Sequence, residues 1–187
     1  PAWCMAMEAL GYCLAPHIFD AADHGVPQNR IRLFIVATLS KHPLMLQFPV
    51  RDLVPADSFI DFKAGRWQPI EKPGRAAATL ARIAEGRRQH GARFVSSYYG
   101  AERGGRSISR PIGTITTRDR LGLVEPDGCR FDIRFRMLRP HELAAAMGFP
   151  RDYKITGNRG EQVKQIGNAV CVEQAEALIR AMLEDAA

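Results

Sequence analysis

The sequence has 187 residues, enough for one ordinary domain or two small ones, with a hydrophobic share of 46% and a charged share of 25% that suit a globular chain. Its net charge is +6, and residues 41–137 hold 18 Lys/Arg against 10 Asp/Glu while the rest holds 8 against 10, so the middle segment carries all of the basic excess. No apolar run is long enough to cross a membrane, no leader-like stretch opens the chain, and Cys4, Cys13, Cys129 and Cys171 form neither a CxxC pair nor a disulfide-like ladder, so a reduced cytoplasmic setting with no membrane and no metal is expected.

Three parts follow one another. In residues 1–40, Trp3, Ala6, Met7 and Leu10 recur at helical spacing and Gly11 ends the helix. A short extended piece over 17–19, a turn at Gly25-Val26-Pro27 and the apolar run Leu33 to Ala37 follow; the run predicts a buried strand of an α/β sheet. Residues 41–137 are rich in Pro, Gly and Arg. They predict a small loop-rich domain inserted into the first, with a helix over 76–85 carrying Leu80 and Ile83 on one face. Short strands are expected at 94–95, 113–117 and 121–124. In residues 138–187, Pro140 suits a first helical position, Glu142 its first turn and Gly148 its end. A polar loop and a last helix over 172–183 complete the chain, with Val172, Ala175, Ile179 and Met182 along one face.

The most specific local pattern is Gly25-Val26-Pro27-Gln28-Asn29-Arg30-Ile31-Arg32, just ahead of the apolar run. In an extended segment Gln28, Arg30 and Arg32 share one face. Two guanidiniums and an amide offer many donors and few acceptors, which suits phosphate or a base carbonyl. Ion pairing with carboxylates at a sheet end accounts for them equally well. The polyanion reading of the middle segment and a plain solvated basic surface likewise both remain open.

Gly11-Tyr12 followed by the stretch Ala22 to Arg32 resembles motif VIII of the cytosine-5 DNA methyltransferases. Arg136-Met137-Leu138-Arg139-Pro140-His141-Glu142, running to Met147-Gly148-Phe149-Pro150, resembles motif IX, and Gln162 to Val170 resembles motif X, all in the family's order. The resemblance implies a partial Rossmann-like, S-adenosylmethionine-dependent methyltransferase fold (α/β) with residues 41–137 as an inserted target-recognition domain. Residues 1–40 and 138–187 then belong to the catalytic domain. It implies that Arg32 faces a flipped cytosine at its 2-oxo group, with Arg30 and Gln28 organising that catalytic site or holding backbone. It places Asn168, Ala169 and Val170 at the S-adenosyl-L-methionine pocket, where a helix start opened by Gly167 offers amides. Leu138, Leu143, Met147 and Phe149 read as core anchors. Arg139 stands where the family often has an N-capping residue, which loses a cap oxygen.

Within the middle segment, Thr114-Ile115 resembles the Thr-Leu/Ile pair that marks the recognition domain. Arg103 and Arg106, in an aromatic and Arg-rich loop with Ser96 to Gly100, and Arg118 and Arg120, in a second loop, join that pair as candidate contacts to double-stranded DNA. The family's nucleophile is a cysteine in a Pro-Cys-Gln-like motif, and none of the four cysteines has that setting. The Glu-Asn-Val motif and the glycine-rich cofactor loop are also absent. The expectation is therefore the C-terminal part of a bacterial or phage-encoded DNA (cytosine-5)-methyltransferase, inactive alone. A missing N-terminal half would belong to the same chain or to a separate subunit. The alternatives are a non-catalytic DNA-binding module or the subunit of a split enzyme, with RNA a weaker choice of substrate.

Overall fold

The structure, a computed structural model, describes residues 2–98 and 103–185, without the side chains of 129–132 and 185. Tyr99 and Gly100 of the aromatic loop lie outside the described residues. No described helix is long and apolar enough to cross a membrane.

Helix α1 (Ala2–Ala9) leads into β1 (Cys13–Asp20), which pairs antiparallel with β2 (Ile31–Thr38) from Cys13↔Thr38 to Asp20↔Ile31. A 3-10 turn (Ala21–His24) joins them. The Asp20 carboxylate caps it by accepting the Ala22 N–H at 3.2 Å, and Gly25 ends it at a φ of 81° that L side chains rarely adopt. Along β1 burial alternates: Ala15 and His17 point inward, Pro16 and Ile18 outward.

The expected buried strand is thus one half of a two-stranded ribbon. Val36 is buried, but Ile31 and Leu33 are exposed, because no layer among the described residues covers that face. Helix α1 likewise buries none of its apolar residues. The linker after β2 does pack. The Phe48 ring meets Phe19 at 4.4 Å and His24 at 5.5 Å, and His17 Nε2 hydrogen-bonds the Leu44 carbonyl at 3.1 Å.

The middle segment forms an antiparallel five-stranded sheet in the order β3-β7-β6-β4-β5. Its strands are β3 (Gln68–Pro69), β4 (Phe94–Ser97), β5 (Arg106–Ser107), β6 (Leu121–Asp127) and β7 (Cys129–Met137). Helix α2 (Ala77–His90) is longer than its sequence pattern predicts. Its Ile83 is buried in a cluster with Ile70, Phe94, Val124 and Phe135, whereas Leu80 stays exposed. The strand expected at 113–117 does not form. Ile112 makes one isolated bridge to Gln28, and the following backbone is engaged by Gln28 and Arg30 side chains instead of a neighbouring strand.

Helix α3 (Pro140–Ala145) opens at Arg139, which has no acceptor to offer; Glu142 accepts the Arg139 N–H at 2.7 Å and so completes one side of a cap. The expected polar loop contains a second helix, α4 (Arg159–Asn168). Asn158 accepts the Glu161 N–H at 3.1 Å, and Glu161 accepts the Asn158 N–H at 2.7 Å, a reciprocal cap that starts it. Gly167 and Asn168 therefore end a helix rather than open one. Helix α5 (Val172–Asp185) begins after three intervening residues, 169–171. Its expected apolar face is not buried as a unit: Val172 and Ile179 are exposed, while Gln174 is buried.

One core runs through all three sequence segments. It joins Ala21 and Val26 to Val95, Ile112, Ile115, Leu121 and Leu123, and these to Leu138, Leu143, Met147, Val163 and Ile166. Beside it, Arg136 and Glu142 form a bidentate ion pair with both bonds at 2.7 Å and both side chains almost wholly buried. Arg136 also donates to the Asp61 carbonyl at 2.8 Å, and Glu142 accepts the Asp61 N–H at 3.0 Å, so the linker is fastened to the start of α3.

Candidate functional site

The segment that enters β2 is held by its own polar side chains. Gln28 is fully buried. Its Oε1 accepts the Ile115 N–H at 2.6 Å, and its Nε2 points at Met147 Sδ (2.9 Å) and Cys171 Sγ (3.7 Å). Arg30, 3% exposed, donates Nη1 to the Ile115 carbonyl at 2.8 Å. Its Nη2 donates to the carbonyls of Gly167 (2.7 Å) and Ala169 (3.0 Å). One planar guanidinium thus ties the turn after residue 25 to the 112–116 strip and to the α4–α5 turn. A lysine ammonium lacks the fork to do this. Burial, reinforced by the Arg32 charge, lowers the Arg30 pKa.

Asn29 and Asp20 complete the frame. Asp20 accepts the Arg30 N–H at 2.6 Å and the Asn29 amide at 2.9 Å. Asn29 donates its N–H to the Ile112 carbonyl (2.8 Å), accepts Thr114 Oγ1 at its own carbonyl (2.9 Å) and accepts Arg106 Nη1 at Oδ1 (2.7 Å). Gly167 is packed so closely on the Thr116–Thr117 backbone that a Cβ there would run into the Thr116 carbonyl. The close approach that this glycine permits is therefore to the protein's own middle segment. Burial pushes the Cys171 thiol up to about 11, which keeps it protonated and unsuited to nucleophilic work.

Arg32 stands apart from this frame. It is exposed at the start of β2, opposite Phe19, and its only hydrogen bond among the described residues runs from Nη1 to the neighbouring Ile31 carbonyl at 2.7 Å. Asn168 and Val170 are exposed and Ala169 is half-buried on the α4–α5 turn, whose carbonyls at 167 and 169 are spent on Arg30.

Of the candidate DNA contacts, Ile115 is a correction. It is 1% exposed, lies in the core and has both backbone groups bonded to Gln28 and Arg30, so it cannot meet a base. Thr114 directs its hydroxyl to Asn29, and Arg106 bonds the Asn29 side chain, which gives both an internal role. Arg103 and Arg118 are exposed and Arg120 half-buried. The loop of Arg118 and Arg120 is pinned by Arg159, which pairs with Asp119 at 2.6 Å and donates to the Leu138 carbonyl at 2.7 Å. Sequence reasoning missed Asp20, Asn29, Asp119 and Arg159. Among the described residues no cluster of His, Cys, Asp and Glu is arranged to hold a metal.

The fold is similar to that of methyltransferases of known structure. The Entamoeba histolytica methyltransferase EhMeth superposes with a TM-score of 0.64 at 14% identity, over 98% of this chain and 57% of that one. S. pombe Dnmt2 gives 0.59 at 12%, over 98% and 61%. Among curated proteins, the Type II methyltransferase M.MspI of Moraxella sp is 25% identical over 89% of this chain and 37% of its own length. M.NlaX of Neisseria lactamica is 27% identical over 94% and 54%. The chain thus spans about half the length, or less, of these relatives. The sequence profile of the C-5 cytosine-specific DNA methylases matches residues 1–98 and 124–184 and passes over 99–123, the stretch holding Thr114 and Ile115. Because the matched residues include Gln28, Arg30 and the α4–α5 turn that they brace, and make up most of the sequence, the chain belongs to the C-5 cytosine-specific DNA methylase family.

Proposed function

We propose that this chain is the C-terminal part of a DNA (cytosine-5)-methyltransferase, which transfers a methyl group from S-adenosyl-L-methionine to carbon 5 of cytosine in a specific duplex DNA site. The observation that carries the reading is the frame around Gln28 and Arg30. Two buried polar side chains fix the backbone two and four residues ahead of Arg32 and leave that guanidinium exposed. An exposed donor on a braced backbone suits the 2-oxo group of a base turned out of the duplex, where it would steady charge developing on the ring. Residues 41–137 serve as the target-recognition domain, with Arg103, Arg118 and Arg120 towards DNA. Residues 1–40 and 138–187 belong to the catalytic domain, in a bacterial or phage cytoplasmic enzyme.

Asn168, Ala169 and Val170 fit one edge of a cofactor pocket. The turn is braced from beneath by Arg30, and it presents an exposed amide beside an exposed aliphatic side chain. That pairing suits a nucleoside with both polar edges and apolar faces. Bound S-adenosyl-L-methionine supplies the electrophilic methyl group; the residues named here would hold it. The nucleophilic cysteine comes from the N-terminal half, in the same polypeptide or a separate subunit. Exposed Ile18, Ile31 and Leu33 on the ribbon, with Ile179 and Leu183 on α5, give that half an apolar face to cover.

The test is transfer of labelled methyl from S-adenosyl-L-methionine to duplex DNA. The chain alone should transfer none. The chain joined to a polypeptide carrying a Pro-Cys-Gln cysteine should form 5-methylcytosine, and failure of every such pairing would overturn the reading.

A further inference from the structure

Outside the frame described above, a second group of cations is organised by aromatic rings. Tyr98 is half-buried against the cluster between α2 and the five-stranded sheet, and its ring meets Phe135 edge-on at 6.0 Å. Arg75 stands over the Phe135 ring with Cζ 5.5 Å from its centre, and Arg82 over the Tyr98 ring at 5.3 Å. Stacking of this kind holds a guanidinium by its face and leaves its edge donors available. Those donors are largely unused. Arg75 gives one bond, to the Pro69 carbonyl at 3.0 Å, and the Nε atoms of both arginines are buried, so the terminal N–H groups are the ones left for a ligand. Among the described residues, neither arginine has a carboxylate partner.

Beneath the two guanidiniums the Tyr98 hydroxyl is buried, and burial raises its pKa against the opposing pull of a Ser96 hydrogen bond and the Arg75 and Arg82 charges, so the phenol serves as an uncharged floor and not as a surface donor. Helix α2 starts directly after Arg75 and Ala76 with no side-chain cap and no acidic residue in its first turn, so the positive end of its dipole is unanswered. A base edge mixes donors and acceptors. This set is two cations and a helix start, and its complement is an anion with several oxygens.

We propose that Arg75 and Arg82, held over the Phe135 and Tyr98 rings beside the first turns of α2, clamp one backbone phosphodiester of duplex DNA. The clamp deepens the reading of residues 41–137 as a DNA-contacting domain and rests on it. It positions the domain on the duplex without reading sequence. The sequence pattern singled out the loops around Arg103 and Arg118; the clamp lies ahead of both, within residues that the family profile matches.

The experiment is a titration of the 187-residue chain with a fluorescent mixed-sequence duplex at several salt concentrations. Each phosphate contact contributes about 0.9 to the slope of log affinity against log salt. Arg75→Gln and Arg82→Gln, which keep the aliphatic stems on the rings, should each flatten the slope, by about 0.9 when combined, and each weaken low-salt binding about three- to tenfold. Arg82→Lys should keep the slope. Tyr98→Phe, which keeps the ring under Arg82, should leave the slope unchanged. Arg180→Gln, on exposed α5, should change neither. Unchanged slopes in Arg75→Gln and Arg82→Gln chains that melt as the unmodified one does would overturn the clamp alone. Absence of salt-dependent binding by the unmodified chain would overturn the DNA-contacting reading and the clamp with it.

Discussion

Replacing Arg30 by methionine removes a guanidinium of similar length and leaves three carbonyls, those of Ile115, Gly167 and Ala169, without their donor. Hydrogen bonds to a charged group contribute about 1.5–3 kcal/mol each, so three set an upper bound of about 9 kcal/mol. Two effects reduce it. The substitution also abolishes the cost of burying a cation, and the part-buried Ala169 carbonyl can turn to water. A net loss of about 3–4 kcal/mol remains, a large part of the roughly 5–15 kcal/mol that stabilises an ordinary domain. Urea unfolding should show it as a lower midpoint with an unchanged slope, and thermal melting as a fall of about 10 °C. Arg30→Lys should lie between, because an ammonium keeps the charge but reaches fewer of the carbonyls. A loss below about 1 kcal/mol in Arg30→Met would show that these bonds are replaceable and that Arg30 is no brace.

Three further outcomes follow from the geometry. Gly167→Ala should cost about 1–3 kcal/mol, because its Cβ meets the Thr116 carbonyl and one backbone must retreat; a melt within error of the unmodified chain would contradict this. His24 is buried against Phe19 and Phe48, and burial, helped by Arg51 and opposed by Asp23, lowers its pKa. The unfolded chain takes up that proton first, so the stability His24 contributes is present above its ordinary value of about 6.5 and lost as pH falls below it. The drop in urea midpoint between about pH 7.5 and about pH 5.5 should be smaller in His24→Gln. Cys171 should resist thiol reagents at mildly alkaline pH until the chain unfolds, while half-buried Cys4 and Cys13 react earlier, as peptide mapping by mass spectrometry would show.

Local signals carried far where the chain uses local chemistry. Helix α1, β2, the start of α3 and the Gln28–Arg32 pattern were legible from spacing, from proline and glycine positions and from donor-rich side chains. That Gln28 and Arg30 hold backbone is one of the two roles the resemblance implies, but neither their burial nor their partners were legible. Ile115, Gly167 and Ala169 lie 85 to 139 residues away, and no periodicity reports a contact across that separation. Helix α4 was hidden because its first residues are polar, although Asn158 and Glu161 spell a reciprocal cap. The strand β7 had a visible signal in Arg130-Phe131-Asp132-Ile133-Arg134-Phe135-Arg136, an alternation of period two that was passed over beside the motif that follows it. Ile115 was misassigned because a motif names a position, whereas a side chain's burial is decided by what packs on it.

The account turns on Arg32, an exposed guanidinium placed by a buried frame. The most direct measurement is single-turnover methyl transfer to duplex DNA by the complete protein, comparing Arg32→Ala with the unmodified enzyme at saturating DNA. The account predicts a fall in rate of roughly a hundredfold, since a donor aimed at developing charge is lost, with DNA affinity nearly unchanged. A normal rate in Arg32→Ala, or equal losses of rate and affinity, would contradict it.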